Sequence, residues 1–302
     1  MEPIIYIDRT TGKQEQEKVF GGAFLRFLYG DSLLSKTLGR ALLPLVVKNP
    51  LFSSLYGWWQ NQSWTARSVL PFIKKYEVDD SEFLEPAQSF RSFNDFFVRK
   101  LKPEARLVAP GDTVAVIPAD GRYLFHQRID RSDGFVIKGE KFHLPDLLQD
   151  EALAEEFDQG SMVMARLCPT DYHRFHFPCA CVPGETRLIN GWLYSVNPVA
   201  IKKDIHIFSQ NKRTLTVLQT KRFGKVLYLE IGATSVGTIV ETYIPNQPQD
   251  KGAEKGYFSF GGSSLILLFE PGAIQFDADL LKAYPHEIRC LMGQSMGRGI
   301  GF

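Results

Sequence analysis

From about residue 106 onward, apolar positions fall in short runs broken by Gly, Pro, Asp and Asn. The runs are DTVAVIPADGRYLFHQRI (112–129), GFVIKGEKF (134–142), GSMVMARL (160–167), TLTVLQT (214–220), KVLYLEIGATSVGTIVETY (225–243) and GYFSFGGSSLILLFE (256–270). Their length, β-branched and aromatic content and punctuation predict strands. Alternation is imperfect in TLTVLQT and KVLYLEI, as expected of strands covered on both faces. Helical periodicity returns weakly in HLPDLLQDEALAEEF (143–157).

Residues 20–76 have a different texture. Phe24, Leu25, Phe27, Leu28, Leu33, Leu34, Leu38, Leu42 and Leu43 recur mostly three, four or seven apart, which predicts helices. Asp31 can cap one that begins at Ser32. The expected architecture is α+β. An N-terminal region of amphipathic helices (1–91) precedes a mainly antiparallel β domain (92–302), sandwich or barrel-like, with helical insertions. SFNDFFVRKLKPEARLV (92–108) bridges the two.

Charge refines this picture only regionally. Lys+Arg 35 against Asp+Glu 34 is no nucleic-acid signature, and no such partner is expected. Residues 20–76, however, hold seven basic residues (Arg26, Lys36, Arg40, Lys48, Arg67, Lys74, Lys75) against Asp31 alone. Trp58, Trp59 and Trp64 lie there too. Basic charge with Trp, Phe and Leu on amphipathic helices suits an anionic membrane surface; helices packed on their own domain would use the same residues. Apolar runs such as ALLPLVV (41–47) fall short of the roughly 20 residues that span a bilayer. The start, MEPIIYIDRTTGKQEQEK, has too short an apolar core for a signal peptide. Four cysteines in a chain this long make no disulfide framework, so a reducing compartment is expected.

Three stretches carry candidate chemistry: PADG (118–121), TDYHRFHFPCACVPG (170–184) and FGGSS (260–264). Asp-Gly between β runs ordinarily marks a hairpin turn. His173 and His176 lie near Cys168, Cys179 and Cys181, but their spacing matches no zinc pattern. No metal is expected, and the cysteines read as small buried hydrophobes. Asp120, one histidine and Ser263 or Ser264 could supply a Ser-His-Asp set for a hydrolase or autoprotease. There is no Gly-x-Ser-x-Gly elbow to support it. Glu230, in a strand, and Lys255, before the glycine pair, read as structural.

Taken in order, SFNDFFVRKLKP, PADG, IKGEKFHLPDLL, YHRFHFPC, LYSVNP, NKR, IGATSVGTI, KGAEKGYFSFGGSS and LILLFEPG resemble the phosphatidylserine decarboxylases. These are pyruvoyl-dependent enzymes of phosphatidylethanolamine synthesis. The resemblance implies self-cleavage at Gly262–Ser263 into a β chain (1–262) and an α chain (263–302) that stay together as a heterodimer. Ser263 would become the covalent pyruvoyl cofactor, which forms a Schiff base with phosphatidylserine and releases CO2. Ser263 is favoured over Ser264 because the glycine must precede the cut. The resemblance assigns Asp120 and His176 to self-cleavage and His173 to protonation during turnover. It also implies a peripheral protein on the cytoplasmic side of the cell membrane, and admits a higher homo-oligomer.

Overall fold

The computed structural model describes residues 4–18, 35, 37, 50–129, 135–137, 140–201, 206–233, 239–259, 261 and 263–301. The apolar positions expected between Phe24 and Leu43 lie outside these residues, as does Gly262.

Two strands precede the helices. They are β1 (Ile5–Asp8) and β2 (Gln14–Gln16). The helical expectation for 1–91 therefore does not hold at its start, where IIYID joins the main sheet. Then come α1 (Pro50–Gln60), α2 (Val69–Tyr76) and α3 (Phe93–Phe97). Ser92 begins α3, its hydroxyl accepting the Asp95 amide at 3.0 Å. Phe72, Phe83, Phe90, Phe93 and Phe96 bury their rings against one another in this helical unit.

The remaining elements are largely strands. In chain order they are β3 (Val114–Val116), β4 (Gly121–His126), β5 (Phe135–Ile137), β6 (Glu140–Phe142), β7 (Ser161–Leu167), β8 (Arg174–His176), β9 (Cys181–Pro183) and β10 (Arg187–Ile189). They continue with β11 (Arg213–Thr220), β12 (Lys225–Ile231), β13 (Ile239–Glu241), β14 (Glu254–Phe258), β15 (Ser263–Phe269), β16 (Ile274–Phe276), β17 (Glu287–Cys290) and β18 (Ser295–Gly299). The main sheet runs β10-β11-β12-β15-β7-β4-β17-β1-β2, with β9 also on β11; β13-β14-β8 and β16-β18-β3 form small sheets. The pairings are antiparallel except β1 with β17, and the main sheet stays open rather than closing into a barrel.

Both small sheets pack on one face of the main sheet. Phe175, Phe258, Ile274 and Phe276 meet Val163, Tyr228, Leu265 and Leu267 there. Helices α4 (Leu144–Leu148) and α5 (Glu151–Glu156) cover the other face, against Met164, Leu227, Ile266 and Leu268. This double coverage explains why SLILLF is apolar without alternation. β15 is a central strand, paired along its length with β12 and β7.

PADG is not a hairpin. β3 pairs β18 and β4 pairs β7, so Pro118–Gly121 carries the chain from one sheet to another. That crossing leaves Asp120 buried between sheets.

Leu267 is 1% exposed. Leu267→Ala is expected to lower the unfolding free energy by about 2–5 kcal/mol, measured by urea denaturation. A loss below about 1 kcal/mol would contradict a central, doubly covered β15.

Candidate active site

Ser263 opens β15 opposite Leu167, the last residue of β7. The chain leaving β7 turns back at once and brings His173 beside the serine. Three bonds tie that turn: the Asp171 amide to the Cys168 carbonyl at 2.8 Å, the Cys168 amide to Asp171 Oδ2 at 2.7 Å, and Arg122 Nη1 to the same oxygen at 2.6 Å. Arg99 Nη2 donates to the carbonyls of Thr170 and Asp171, both at 3.1 Å.

His173 is held on every side. Its Nε2 lies 2.9 Å from the Cys168 carbonyl. A carbonyl only accepts, so Nε2 carries the proton and Nδ1 a lone pair. Ser263 Oγ lies 3.3 Å from that Nδ1 and donates to it. Phe97 stacks on the ring at 3.9 Å, and Phe258 donates its amide to the His173 carbonyl at 3.0 Å. Burial depresses the imidazole to about 3, with Asp171 pulling it back and Arg99 adding to the depression. His173 is thus neutral at physiological pH and ready to accept.

His176 points elsewhere. Its Nδ1 donates to the Gly252 carbonyl at 3.0 Å, and its Nε2 accepts from Tyr172 Oη at 3.3 Å. It has the opposite tautomer to His173, and burial lowers its pKa. Asp120 accepts from Arg106 Nε at 2.9 Å and Nη2 at 2.6 Å, and from the Met292 amide at 2.8 Å. Arg106 also pairs with Glu82 of the helical unit. The expected Asp120–His176–Ser263 chain of hydrogen bonds is thus not the arrangement present. Among the described residues, the histidine on Ser263 is His173, and Asp120 reaches His176 only through its charge. Ser264, one residue on, faces the opposite side of the sheet, and its buried hydroxyl has no partner among the described residues.

A pyruvoyl group grows out of a serine, so its site must hold that serine with a base and a permissive backbone before it. These residues fit. Ser263 is fully buried with its hydroxyl on a neutral imidazole, and Gly261 holds φ +137°, open to glycine and to few other residues.

Glu230 and Lys255, read singly from sequence as structural, form a cluster with Glu241 on the same face. Lys255, fully buried, donates to Glu230 Oε1 at 2.6 Å and to both Glu241 oxygens at 2.9 Å. Thr214 donates to the other Glu230 oxygen at 2.6 Å. Burial and the Glu230 charge raise the pKa of Glu241, with Lys255 pulling the other way. The signal available was two opposite charges, each inside an apolar strand, which need each other to be buried. The four cysteines are buried, unpaired and unreactive, burial pushing each thiol up.

A buried serine donating to a neutral histidine is a candidate self-processing site. Residues 93–298 match the family described as Phosphatidylserine decarboxylase, and the chain belongs to that family. It is 51% identical to the phosphatidylserine decarboxylase proenzyme of Chlamydia pneumoniae, over 97% of this chain and 96% of that one. The Chlamydia caviae proenzyme is 49% identical over 99% of both chains, and that of Chlamydia trachomatis serovar D 44% identical over 98% and 97%.

In the folded protein His173 should titrate below pH 4, read by NMR of labelled imidazole in the Ser263→Ala chain. The unfolded chain takes up this proton near pH 6.5 and the native one only near 3. Stability owed to His173 is therefore complete above about pH 6.5 and is lost as pH falls toward 3. A native midpoint near 6.5 would contradict the buried, neutral ring.

Proposed function

We propose that this decarboxylase proenzyme cuts itself between Gly262 and Ser263 and then removes CO2 from phosphatidylserine at a membrane surface. The observation that carries this reading is the 3.3 Å contact between Ser263 Oγ and His173 Nδ1. Ser263 Oγ attacks the Gly262 carbonyl carbon while His173 takes its proton. The peptide C–N bond breaks, nitrogen gains the proton, and the link becomes an ester. Loss of the Ser263 α-proton then breaks the Cβ–O bond and expels the Gly262 carboxylate. The dehydroalanine left behind takes up water and loses ammonia, leaving a pyruvoyl group at the head of 263–302. That group supplies an electrophilic ketone toward a primary amine and an electron sink for CO2 loss.

His173 stays fixed by its carbonyl and its stacked Phe97 ring. A proton on it is readily given up, because burial disfavours the charged ring. That suits delivery to the substrate carbon that has lost CO2. A second reading keeps the assignment implied by resemblance, with Asp120 and His176 driving the cut and His173 serving turnover alone. It is favoured by the lone pair on His176 Nε2 and by the Asp120 charge acting on that ring. A hydrolase triad is disfavoured, since a backbone carbonyl stands where its orienting carboxylate belongs.

Intact mass under denaturing conditions tests the reading. Wild type should give two fragments, the shorter without a free amine and reactive with hydroxylamine; Ser263→Ala should stay whole. His173→Ala whole with His176→Ala cut supports the first division, and the reverse supports the second. Loss of the acting base should slow cutting about 10²–10⁴-fold. An active preparation that is one continuous chain without a trappable carbonyl removes the proposal.

The helical unit supports the membrane reading. Trp58, Trp59 and Trp64 are 57%, 52% and 42% exposed, beside exposed Leu55, Leu70, Arg67, Lys74 and Lys75. No helix among the described residues is long and apolar enough to cross a membrane. We assign this unit to the cytoplasmic face of the cell membrane, with the sheet domain carrying the reaction and the two cut chains remaining one folded body. Lys74→Glu/Lys75→Glu should weaken sedimentation with phosphatidylserine vesicles by about 1 kcal/mol or more per residue, and added salt should shrink the difference. Unchanged binding would place the lipid contact elsewhere.

A further inference from the structure

We propose that Lys255 is a positioning residue for self-cleavage, tying the strand before the cut to the strand beside the one after it. This rests on the cut lying between Gly262 and Ser263. β14 ends at Phe258 and β15 begins at Ser263, in different sheets, so four residues, 259–262, must span the gap and present their last carbonyl to Ser263 Oγ. Their placement depends on how firmly the two sheets are registered.

Lys255 supplies that registration. It sits on β14, ringed by Phe175, Tyr228 and Tyr243 at 5.6, 5.0 and 5.1 Å, and spends its three N–H groups on Glu230 and Glu241. Glu230 sits on β12 opposite Leu265 of β15, and Ile231 stands opposite Ser264. The same β14 holds His173, through the Phe258 amide. β14 has no room to slide, for a Cβ on Gly256 would lie 2.2 Å from the Val240 carbonyl. One buried ammonium thus fixes the upstream arm of the cut relative to the nucleophile, while the Cys168 carbonyl and the Phe97 ring hold His173 independently. A buried ion pair seldom stabilises more than an apolar pair of the same volume, so placement is the function that accounts for this one. All its polar contacts lie within 1–262, so the tie survives the cut unchanged.

Displacing reacting atoms by about 1 Å slows such reactions roughly 100-fold. Cutting is followed by mass spectrometry after a pulse of cell-free synthesis, with thermal melts and CO2 release per hydroxylamine-trapped carbonyl. Lys255→Met should cut about 100-fold more slowly. Glu230→Gln/Glu241→Gln/Lys255→Met, which leaves no unpaired charge, should melt near wild type yet cut as slowly. Glu230→Asp keeps the charge, shortens the arm and should also cut slowly. Each, once cut, should release CO2 at the wild-type rate per carbonyl. Glu241→Gln should cut normally, since Glu241 lies off β12 and the Lys255–Glu230 tie remains. The inference is overturned if the triple variant cuts at the wild-type rate, for then only charge balance mattered. It is equally overturned if turnover per carbonyl falls in step with cutting. Wild type that fails to cut after Gly262 sinks the underlying cleavage reading instead.

Discussion

The proposed cut between Gly262 and Ser263 sets the requirement on which the rest depends: the chain must be broken at a buried point without releasing either piece. Ser263 meets it by being the first residue of β15 rather than a residue within it. The strand downstream keeps both its neighbours, β12 and β7, and both its apolar faces. Its five apolar side chains, Leu265 to Phe269, each withdraw from water with about 1.5–3 kcal/mol of driving force. β17, further along the same fragment, lies between β4 and β1. The bond to be cut is the one link at that point that the sheet does not need.

Buried charge does the positioning. Arg122 and Arg166 stand directly opposite on β4 and β7, an arrangement that repels unless carboxylates intervene. Three do. Glu17 bonds Arg166 at 2.6 Å, Glu287 bonds it at 2.7 Å, and Asp171 bonds Arg122 at 2.6 Å. Glu17 comes from the start of the chain and Glu287 from beyond the proposed cut, so the network would join both fragments. Its Asp171 arm also holds the Cys168 amide and hence the turn that aims His173. Removing one member would strand another charge in the core, which costs more than the pair itself is worth.

Much of this was legible from sequence. The apolar runs became β4, β7, β11, β12, β14 and β15, because strands covered on both faces need a composition that nothing else in the chain has. The glycine before it favoured Ser263 over Ser264, and the pleat separates the two: neighbouring strand residues face opposite ways, so the Ser263 hydroxyl meets His173 while that of Ser264 has no partner among the described residues. What was not legible depends on partners far away in sequence or on backbone groups. IIYID became a strand only because β17, some 280 residues on, offers it an edge. PADG became a crossing because its flanking strands pair with distant ones. The two histidines were told apart by the carbonyls of Cys168 and Gly252, which leave no mark in a sequence.

The helical unit is therefore more than an anchor for the sheet domain. Phe97 stacks on His173, Arg99 holds the Thr170 and Asp171 carbonyls, and Arg106 holds Asp120 while gripping Glu82. Arg99 lies between the rings of Phe83 and Phe96 and bonds only carbonyls, and burial brings its pKa down to about 10. Its positive charge, close to His173, helps keep that ring neutral. Residues that would meet a lipid surface and residues that tune the reaction thus belong to one packed unit, with the aromatic cluster between them. Cutting this unit away would unstack His173, strip the carbonyls of their donor and open a dry site to water, so the surface proposed to meet the membrane is also a wall of the proposed active site.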